Sequence, residues 1–144
     1  MPTNIALTAT ATADSSFSGS HLPGKANDGN TDLNNSRWVS ATQDVEHFLQ
    51  LEWTQSVHVT DIQFLPSVAI FNEAFREYYL EYWNGTSWVL IAHVTGFSGE
   101  YPYITDHSGL NFNTTKIRMR LENEAVFGYE WGALVELFVV AVEA

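Results

Sequence analysis

Apolar and polar residues alternate along most of this chain, and this two-residue period is the feature that most limits its possible folds. The clearest case is residues 116–121, where Ile, Met and Leu alternate with Lys and Arg. Such alternation puts every second side chain on the same face, as in a β-strand with one buried side. Helical periodicity is weak throughout the sequence, so we predict an all-β fold.

A hairpin is predicted at Asn84-Gly85, between the aromatic-rich segments 78–83 and 88–94. Asn-Gly favours a two-residue type I′ turn, because both central residues of that turn need a positive φ. Many short strands separated by turn residues are typical of an antiparallel sandwich or barrel. The further predicted strands are residues 48–53, 57–65, 116–121 and 133–140.

Length and charge exclude several classes of protein. The 144 residues contain no linker or repeat, so we expect one domain over residues 1–144. The absence of cysteine excludes disulfides, thiol catalysis and cysteine-type zinc sites. With 17 acidic and 6 basic residues, the net charge of -11 repels nucleic acids and anionic lipids. No segment approaches the ~20 apolar residues that would cross a bilayer.

Residues 24–31 are dense in oxygen donors, and Gly29 permits a sharp bend among them. Carboxylate, amide, hydroxyl and backbone carbonyl oxygens are the ligands that Ca²⁺ prefers. The spacing differs from that of an EF-hand loop. The alternative is a solvated turn in which Asp28 accepts hydrogen bonds from its own backbone.

Glu136 lies within residues 134–139 of the predicted strand 133–140, which is apolar on both faces. A buried carboxylate costs several kcal/mol unless it is paired or bound to a metal. Bases are scarce in this chain, which makes a metal cation a reasonable partner. The alternative is an ion pair with Arg37.

Six segments, in order along the chain, resemble the discoidin, or coagulation factor type C, family. They are residues 4–7, 25–31, 36–40, 48–51, 79–88 and 133–137. Within that family the sequence is most similar to bacterial carbohydrate-binding modules of the family 32 type. The resemblance implies a jelly-roll β-sandwich with a galactose-binding-like fold.

The resemblance also implies a structural Ca²⁺ ion. Its ligands would be the Lys25 carbonyl, Asp28, Asn30, Ser36, the Ala133 carbonyl and Glu136. Because extra residues separate Asn30 from Ser36, Thr31 is an alternative to Ser36. Glu136 is the one ligand that the burial argument and the resemblance both indicate.

A sugar site needs an aromatic face for the apolar side of a pyranose and planar polar groups for its hydroxyls. For Phe127 and Tyr129, packing in the core is the alternative. For Arg76 the alternative is an ion pair with Glu73 or Glu77, and His47 could simply be a surface residue. The ligand-binding candidates are Arg76, Tyr129, Phe127, Glu46 and His47. The outward cations Lys116, Arg118 and Arg120 would suit an anionic glycan instead.

No pair of carboxylates stands out as a glycosidase centre, and the hydrolase motifs G-x-S-x-G and H-E-x-x-H are absent. The resemblance implies a non-catalytic module that binds a neutral, terminal or short glycan in a shallow loop site. It would be an extracellular part of a larger multimodular enzyme and would hold that enzyme near polysaccharide or glycoprotein. The alternative is a discoidin domain for cell adhesion or protein interaction.

Overall fold

The computed structural model describes residues 3–16, 18–31, 36–40, 46–66, 77–95, 97, 103–122 and 133–142, with backbone alone at 133, 135, 141 and 142. Nine strands and two short 3₁₀ helices fall within these residues. The strands are β1 (Thr3–Asn4), β2 (Thr10–Ala13), β3 (Trp38–Val39), β4 (Glu46–Pro66), β5 (Glu77–Trp83), β6 (Trp88–Val94), β7 (Thr105–His107), β8 (Phe112–Glu122) and β9 (Ala133–Val142). The 3₁₀ helices are Ala6–Thr8 and Pro23–Ala26.

All strand pairs are antiparallel, and β4 takes part in two groups of them. Its first half pairs with β2 and β8, and β5 and β6 follow beyond β8. Its second half pairs with β9 and β7, and β9 also carries β1 and β3. The structure therefore has two groups of strands that share one long strand.

Strand β4 must bend sharply near its middle, where its register shifts between Glu52 and Val57 against β8 and between Val59 and Asp61 against β9. A straight strand of its 21 residues would extend roughly 70 Å. Near its end, however, the Phe64 ring lies 5.0 Å from the ring of Tyr78. Tyr78 is in register with the β8 residue that pairs with His47, near the start of β4. The two halves of β4 therefore face each other in two layers, which confirms the predicted all-β sandwich.

This bend brings several strand ends together. The start of β4 at Glu46 pairs with Glu122, which also pairs with Glu77 at the start of β5. The end of β4 at Pro66 pairs with Leu134 near the start of β9. We call this side of the sandwich, defined by the ends of β4, β8, β5 and β9, the loop end. Segments 41–45, 67–76 and 123–132 connect to strands at this end.

Inward side chains of the two layers form the core. In β8 the alternation is as predicted: Ile117, Met119 and Leu121 are fully buried. Each large apolar side chain buried in this way contributes about 1.5–3 kcal/mol to stability. Among the described residues, other large side chains that are fully buried include Trp38, Leu49, Leu51, Ile62, Phe64, Tyr78, Leu80 and Leu134.

The outward cations of β8 contact carboxylates and aromatic rings of the same sheet face. Arg118 and Arg120 each donate from Nε to the same oxygen, Oε1 of Glu81, at 3.0 and 2.9 Å. Their guanidinium groups also lie over rings, 4.1 Å from the Trp88 centroid and 4.2 Å from the Tyr79 centroid. These contacts do not support the expectation of a basic patch for an anionic glycan.

The predicted β5–β6 hairpin is present, but its turn is longer than the sequence suggested. Trp83 pairs with Trp88, so four residues form the turn instead of two. The Asn84 N–H donates to the Ser87 carbonyl at 3.1 Å, and Gly85 has a φ of 104°. The Asn84 side chain accepts hydrogen bonds from the residues that follow, and these bonds support the longer turn.

A polar contact joins the two layers inside an aromatic cluster. The Tyr78 hydroxyl and Nε2 of His107 share a hydrogen bond of 2.7 Å, and the Tyr78 ring lies 5.3 Å from that of Phe97. Burial raises the pKa of Tyr78 to about 12. Burial also lowers the pKa of His107, although the charge of Asp106 acts in the opposite direction. His107 is therefore neutral in the folded protein at pH 7.

The lowered pKa of His107 predicts a loss of stability in acid. As the pH falls below 6.5, the unfolded chain takes up the histidine proton before the folded one does, so the free energy of unfolding decreases. In urea titrations at several pH values, His107→Gln should lack this part of the decrease. Parallel pH profiles for the wild type and His107→Gln would contradict the assignment.

Tyr78→Phe removes the hydroxyl that shares a hydrogen bond with His107. In the same urea titrations it should lower the free energy of unfolding by about 1 kcal/mol.

Candidate functional site

The oxygen-rich turn predicted near Gly29 is held against the body of the domain. It follows the 3₁₀ helix Pro23–Ala26, and the Asn27 side-chain amide donates to the carbonyls of Ala6 and Ala9 at 2.8 and 3.0 Å. Gly29 has a φ of 80°, and a Cβ at this position would lie 3.3 Å from the Leu7 side chain. A larger residue at 29 would be strained and crowded, so the turn depends on glycine.

Oxygen atoms from three residues meet beside this turn. The Ser36 hydroxyl lies 2.5 Å from Asp28 Oδ2 and 3.1 Å from the Lys25 carbonyl oxygen. The other Asp28 oxygen, Oδ1, accepts a hydrogen bond from the Asn30 N–H at 2.9 Å. Asp28 therefore both caps the turn, as the alternative interpretation required, and directs one oxygen toward its neighbours.

Glu136 reaches the same turn from β9 and is completely buried. Its Oε2 accepts a hydrogen bond from the Gly29 N–H at 2.7 Å. Its Oε1 is also buried and has no hydrogen-bond partner among the described residues. Burial raises the pKa of Glu136 to about 7, the Gly29 N–H opposes this rise, and the charge of Asp28 adds to it.

The donors at this turn have the chemistry that a calcium ion requires. Two carboxylates, a hydroxyl and a backbone carbonyl are hard oxygen ligands, and one carboxylate oxygen lacks any other partner among the described residues. In the described part of the chain, Glu136 forms no ion pair with Arg37, which was the alternative partner. No group of three or more His, Asp or Glu side chains suited to a metal occurs within the same residues. A metal here would therefore depend on the hydroxyl and carbonyl as well.

Two further predicted ligands flank this cluster in the sequence. Ala133 opens β9 and pairs with Val39 of β3, so the chain after Ser36 runs beside the start of β9. Asn30 lies at the exposed end of the turn. Their role as ligands, and the role of Thr31 as an alternative to Ser36, stay predictions.

Of the predicted sugar-binding residues, two are described and three are not. Glu46 is exposed at the loop end, and its Oε1 lies 3.6 Å from Arg120. His47 is 1% exposed, and its Nδ1 lies 2.7 Å from Asp14 Oδ2. This buried position does not support His47 as a sugar contact. Arg76, Phe127 and Tyr129 lie outside the described residues.

The Asp14–His47 pair has a structural role that the sequence analysis missed. Asp14 Oδ1 also accepts a hydrogen bond from the Phe48 N–H at 3.0 Å. Burial alone would raise the pKa of Asp14, but the hydrogen bonds from His47 and Phe48 outweigh it, and the pKa is lowered. An ionised Asp14 therefore fastens the end of β2 to the start of β4.

An exposed aromatic residue close to the loop end, Tyr103, was not among the predicted site residues. Tyr103 is 73% exposed and its neighbour Ile104 is 53% exposed. They precede Thr105, which pairs with Phe64 two residues before β4 ends. The repeated aromatics of residues 101–103 were the available signal. Tyr103 offers the kind of accessible ring on which a sugar can stack.

Comparisons with known proteins agree with this fold. The family model described as F5/8 type C domain matches residues 10–137. Among curated protein sequences, none matches the chain significantly. No described helix is long and apolar enough to cross a membrane.

Three solved structures illustrate the likeness. The family 32 carbohydrate-binding module of NanJ from C. perfringens, solved with galactose, has 21% identity and a TM-score of 0.78, with 97% of this chain and 99% of that chain covered. Chitosan-binding module 2 of a chitosanase/glucanase from Paenibacillus sp. IK-5, solved with chitotriose, has 21% identity and a TM-score of 0.78, with 94% and 98% covered. A fucose-binding module of Streptococcus pneumoniae has 18% identity and a TM-score of 0.78, with 95% and 94% covered.

At these identities the solved structures establish the fold, which is that of the galactose-binding-like modules. The family model covers most of the chain, from β2 into β9, and includes the turn at Gly29 and Glu136. The predicted resemblance is therefore confirmed, and the chain belongs to the F5/8 type C domain family.

Proposed function

We propose that this chain is a non-catalytic carbohydrate-binding module whose glycan site lies at the loop end. The match to the F5/8 type C family over residues 10–137 carries this proposal. Modules with the same fold were solved with galactose and with chitotriose. The chitotriose-bound module derives from a chitosanase/glucanase, which supports an extracellular role beside an attached enzyme. Tethering would then raise the local concentration of that enzyme at its substrate.

The proposed contacts come from segments that connect to strands at the loop end. Arg76 directly precedes Glu77, the first residue of β5, and Phe127 and Tyr129 lie between Glu122 and Ala133. Arg76 would donate to sugar hydroxyls, and the rings would cover the apolar face of a pyranose. Glu46 and Tyr103 are the exposed described residues that could join them.

We also propose that a structural calcium ion binds between the Gly29 turn and β9. The unpartnered, buried Oε1 of Glu136 is the observation among the described residues that supports it most. Glu136, Asp28, Ser36 and the Lys25 carbonyl would hold the ion, with Asn30 and the Ala133 carbonyl as further ligands. When bound, calcium would supply the positive charge that this pair of carboxylates needs and would brace the turn against β9.

Calcium should stabilise the domain. Chelation should lower the melting temperature of the wild type, because an ion that binds only the folded state stabilises it by mass action. Glu136→Gln keeps an acceptor for the Gly29 N–H but removes the charge, so added calcium should no longer raise its melting temperature. Glu52→Gln, a change at an exposed carboxylate on β4, should respond as the wild type does. A calcium response that survives in Glu136→Gln would contradict the proposed ligand.

Without calcium, Glu136 should make stability depend on pH. Its folded pKa of about 7 exceeds the 4.5 of the unfolded chain, so its contribution is present below pH 4.5 and is lost as the pH rises toward 7. In chelator, the wild type should therefore lose on the order of 2 kcal/mol relative to Glu136→Gln across this interval. Denaturant titrations of both proteins measure the difference. An identical pH profile for the two would show that Glu136 is not buried as described.

Glycan binding should be weak and should depend on the loop-end residues. Calorimetry against a panel of neutral, amino and acidic glycans should find a ligand with a Kd of roughly 1 mM, about −4 kcal/mol. Arg76→Ala and Tyr129→Ala should each weaken that binding roughly tenfold. Lys116→Ala, near the middle of β8 where it pairs with Glu52, serves as the matched control and should bind normally. No binding by a folded protein to any glycan would contradict the proposal, and capture of a protein partner would favour the adhesion alternative.

A further inference from the structure

The tip of the β5–β6 hairpin holds an Asn-Gly pair in which hydrogen bonds fix the Asn84 side chain. All four residues of the turn, 84–87, are exposed. Asn84 Oδ1 accepts three hydrogen bonds, from Thr86 N–H at 2.9 Å, Ser87 N–H at 2.9 Å and the Thr86 hydroxyl at 3.0 Å. These bonds hold the Asn84 side chain folded back over the turn that contains the Gly85 peptide.

Gly85 makes few contacts with the rest of the described structure. Among the described residues, nothing lies within 4 Å of the position that a Gly85 Cβ would occupy. Its N–H also has no acceptor in the described part of the chain. The nitrogen is therefore not held in a hydrogen bond to a described residue, and the space on the Cβ side of Gly85 is open.

We propose that Asn84 is a site of self-modification, at which the folded turn promotes cyclisation with Gly85 and conversion to aspartate or isoaspartate. The Gly85 nitrogen attacks Asn84 Cγ and forms a C–N bond. The Cγ–Nδ2 bond breaks, and ammonia leaves with the proton that Gly85 gave up. Water then adds to either carbonyl of the resulting succinimide, and the ring opens to an aspartyl or an isoaspartyl residue.

The three donors to Oδ1 supply the physical reason for promotion by the fold. Negative charge builds on this oxygen as Cγ becomes tetrahedral, and donors already aimed at it stabilise that charge. The arrangement works as an oxyanion hole does in acyl transfer. The acyl group here belongs to the chain itself, and the displaced group is ammonia.

The only other Asn-Gly or Asp-Gly pair in the sequence, Asp28-Gly29, provides an internal contrast. There the Gly29 N–H donates to Glu136 Oε2 at 2.7 Å. An amide nitrogen next to a carboxylate loses its proton reluctantly, because the two negative charges would repel. The fold should therefore protect Asp28 and leave Asn84 open.

The two products differ in what they do to the hairpin. Aspartate keeps a side-chain oxygen in the position of Oδ1 and should preserve the turn. Isoaspartate inserts an extra carbon into the backbone between Trp83 and Gly85. This insertion disturbs the hydrogen bond from Asn84 N–H to the Ser87 carbonyl and the pairing of Trp83 with Trp88.

Peptide mass spectrometry of aged protein tests the proposal. The folded chain and the urea-unfolded chain are incubated side by side at mildly alkaline pH, and the replacement of NH₂ by OH is followed at each asparagine. Asn84 should be modified first in the folded protein, at a rate no lower than in the unfolded chain. Isomerisation of Asp28 leaves the peptide mass unchanged, so it is followed by the chromatographic retention of its peptide, and it should occur only after unfolding. A folded rate at Asn84 clearly below the unfolded rate would overturn the proposal, because the turn would then be protective.

Thr86→Val separates the effect of the turn from that of the sequence. It removes one donor to Oδ1 and should slow the folded reaction roughly fivefold, equivalent to ~1 kcal/mol, without changing the unfolded rate. Equal rates for the wild type and this variant in the folded state would contradict the role of the donors. Asn84→Asp should melt close to the wild type, whereas the aged fraction that carries one added negative charge, a mixture of aspartyl and isoaspartyl forms, should melt lower.

Discussion

The hydrogen bond between Glu136 and the Gly29 N–H joins the first part of the chain to the last strand, and the surrounding structure depends on it. It crosses 107 positions of sequence and lies where no described residue satisfies the second carboxylate oxygen. A carboxylate in such a place tends to stay protonated, and the pKa of about 7 reflects that tendency. A bound cation would convert this unfavourable burial into a brace between the Gly29 turn and β9.

The two-layered fold depends in turn on the bend of β4. Because one strand pairs in both layers, the bend near its middle fixes how the layers face each other and which strand ends meet at the loop end. Inside the sandwich, Tyr78 of one layer contacts His107 and the ring of Phe64 in the other layer. The Asp14–His47 pair fastens β2 to the start of β4. The loop end is thereby presented by a rigid frame, as a binding site built from loops requires.

The sequence predicted the features that local periodicity controls. Alternation in β8 identified Ile117, Met119 and Leu121 as core residues, and the apolar run around Glu136 identified a buried charge. The same alternation could have placed His47 inside, because it shares a face with Leu49 and Leu51. Its partner Asp14 lies 33 positions away, and no local pattern indicates such a contact. The four-residue turn at Asn84 was also hidden, because side-chain capping by Asn84 decided its length.

The sequence also shows where the charged residues are, but not which of them form pairs in the folded protein. The sequence shows a row of cations on β8, but the ion pairs of that row with Glu81 and its contacts with the rings of β5 and β6 depend on strand order. Strand order is a property of the whole chain, which composition cannot provide. The net charge of the whole chain is -11. This negative charge repels anionic partners such as nucleic acids and anionic lipids.

The most direct test of this account is a crystal structure of the protein grown with calcium. We expect an ion within about 2.3–2.6 Å of Glu136 Oε1, an Asp28 oxygen and the Lys25 carbonyl oxygen. A Glu136 side chain that points into solvent, or that pairs with Arg37 while the space beside Asp28 holds no ion, would contradict it.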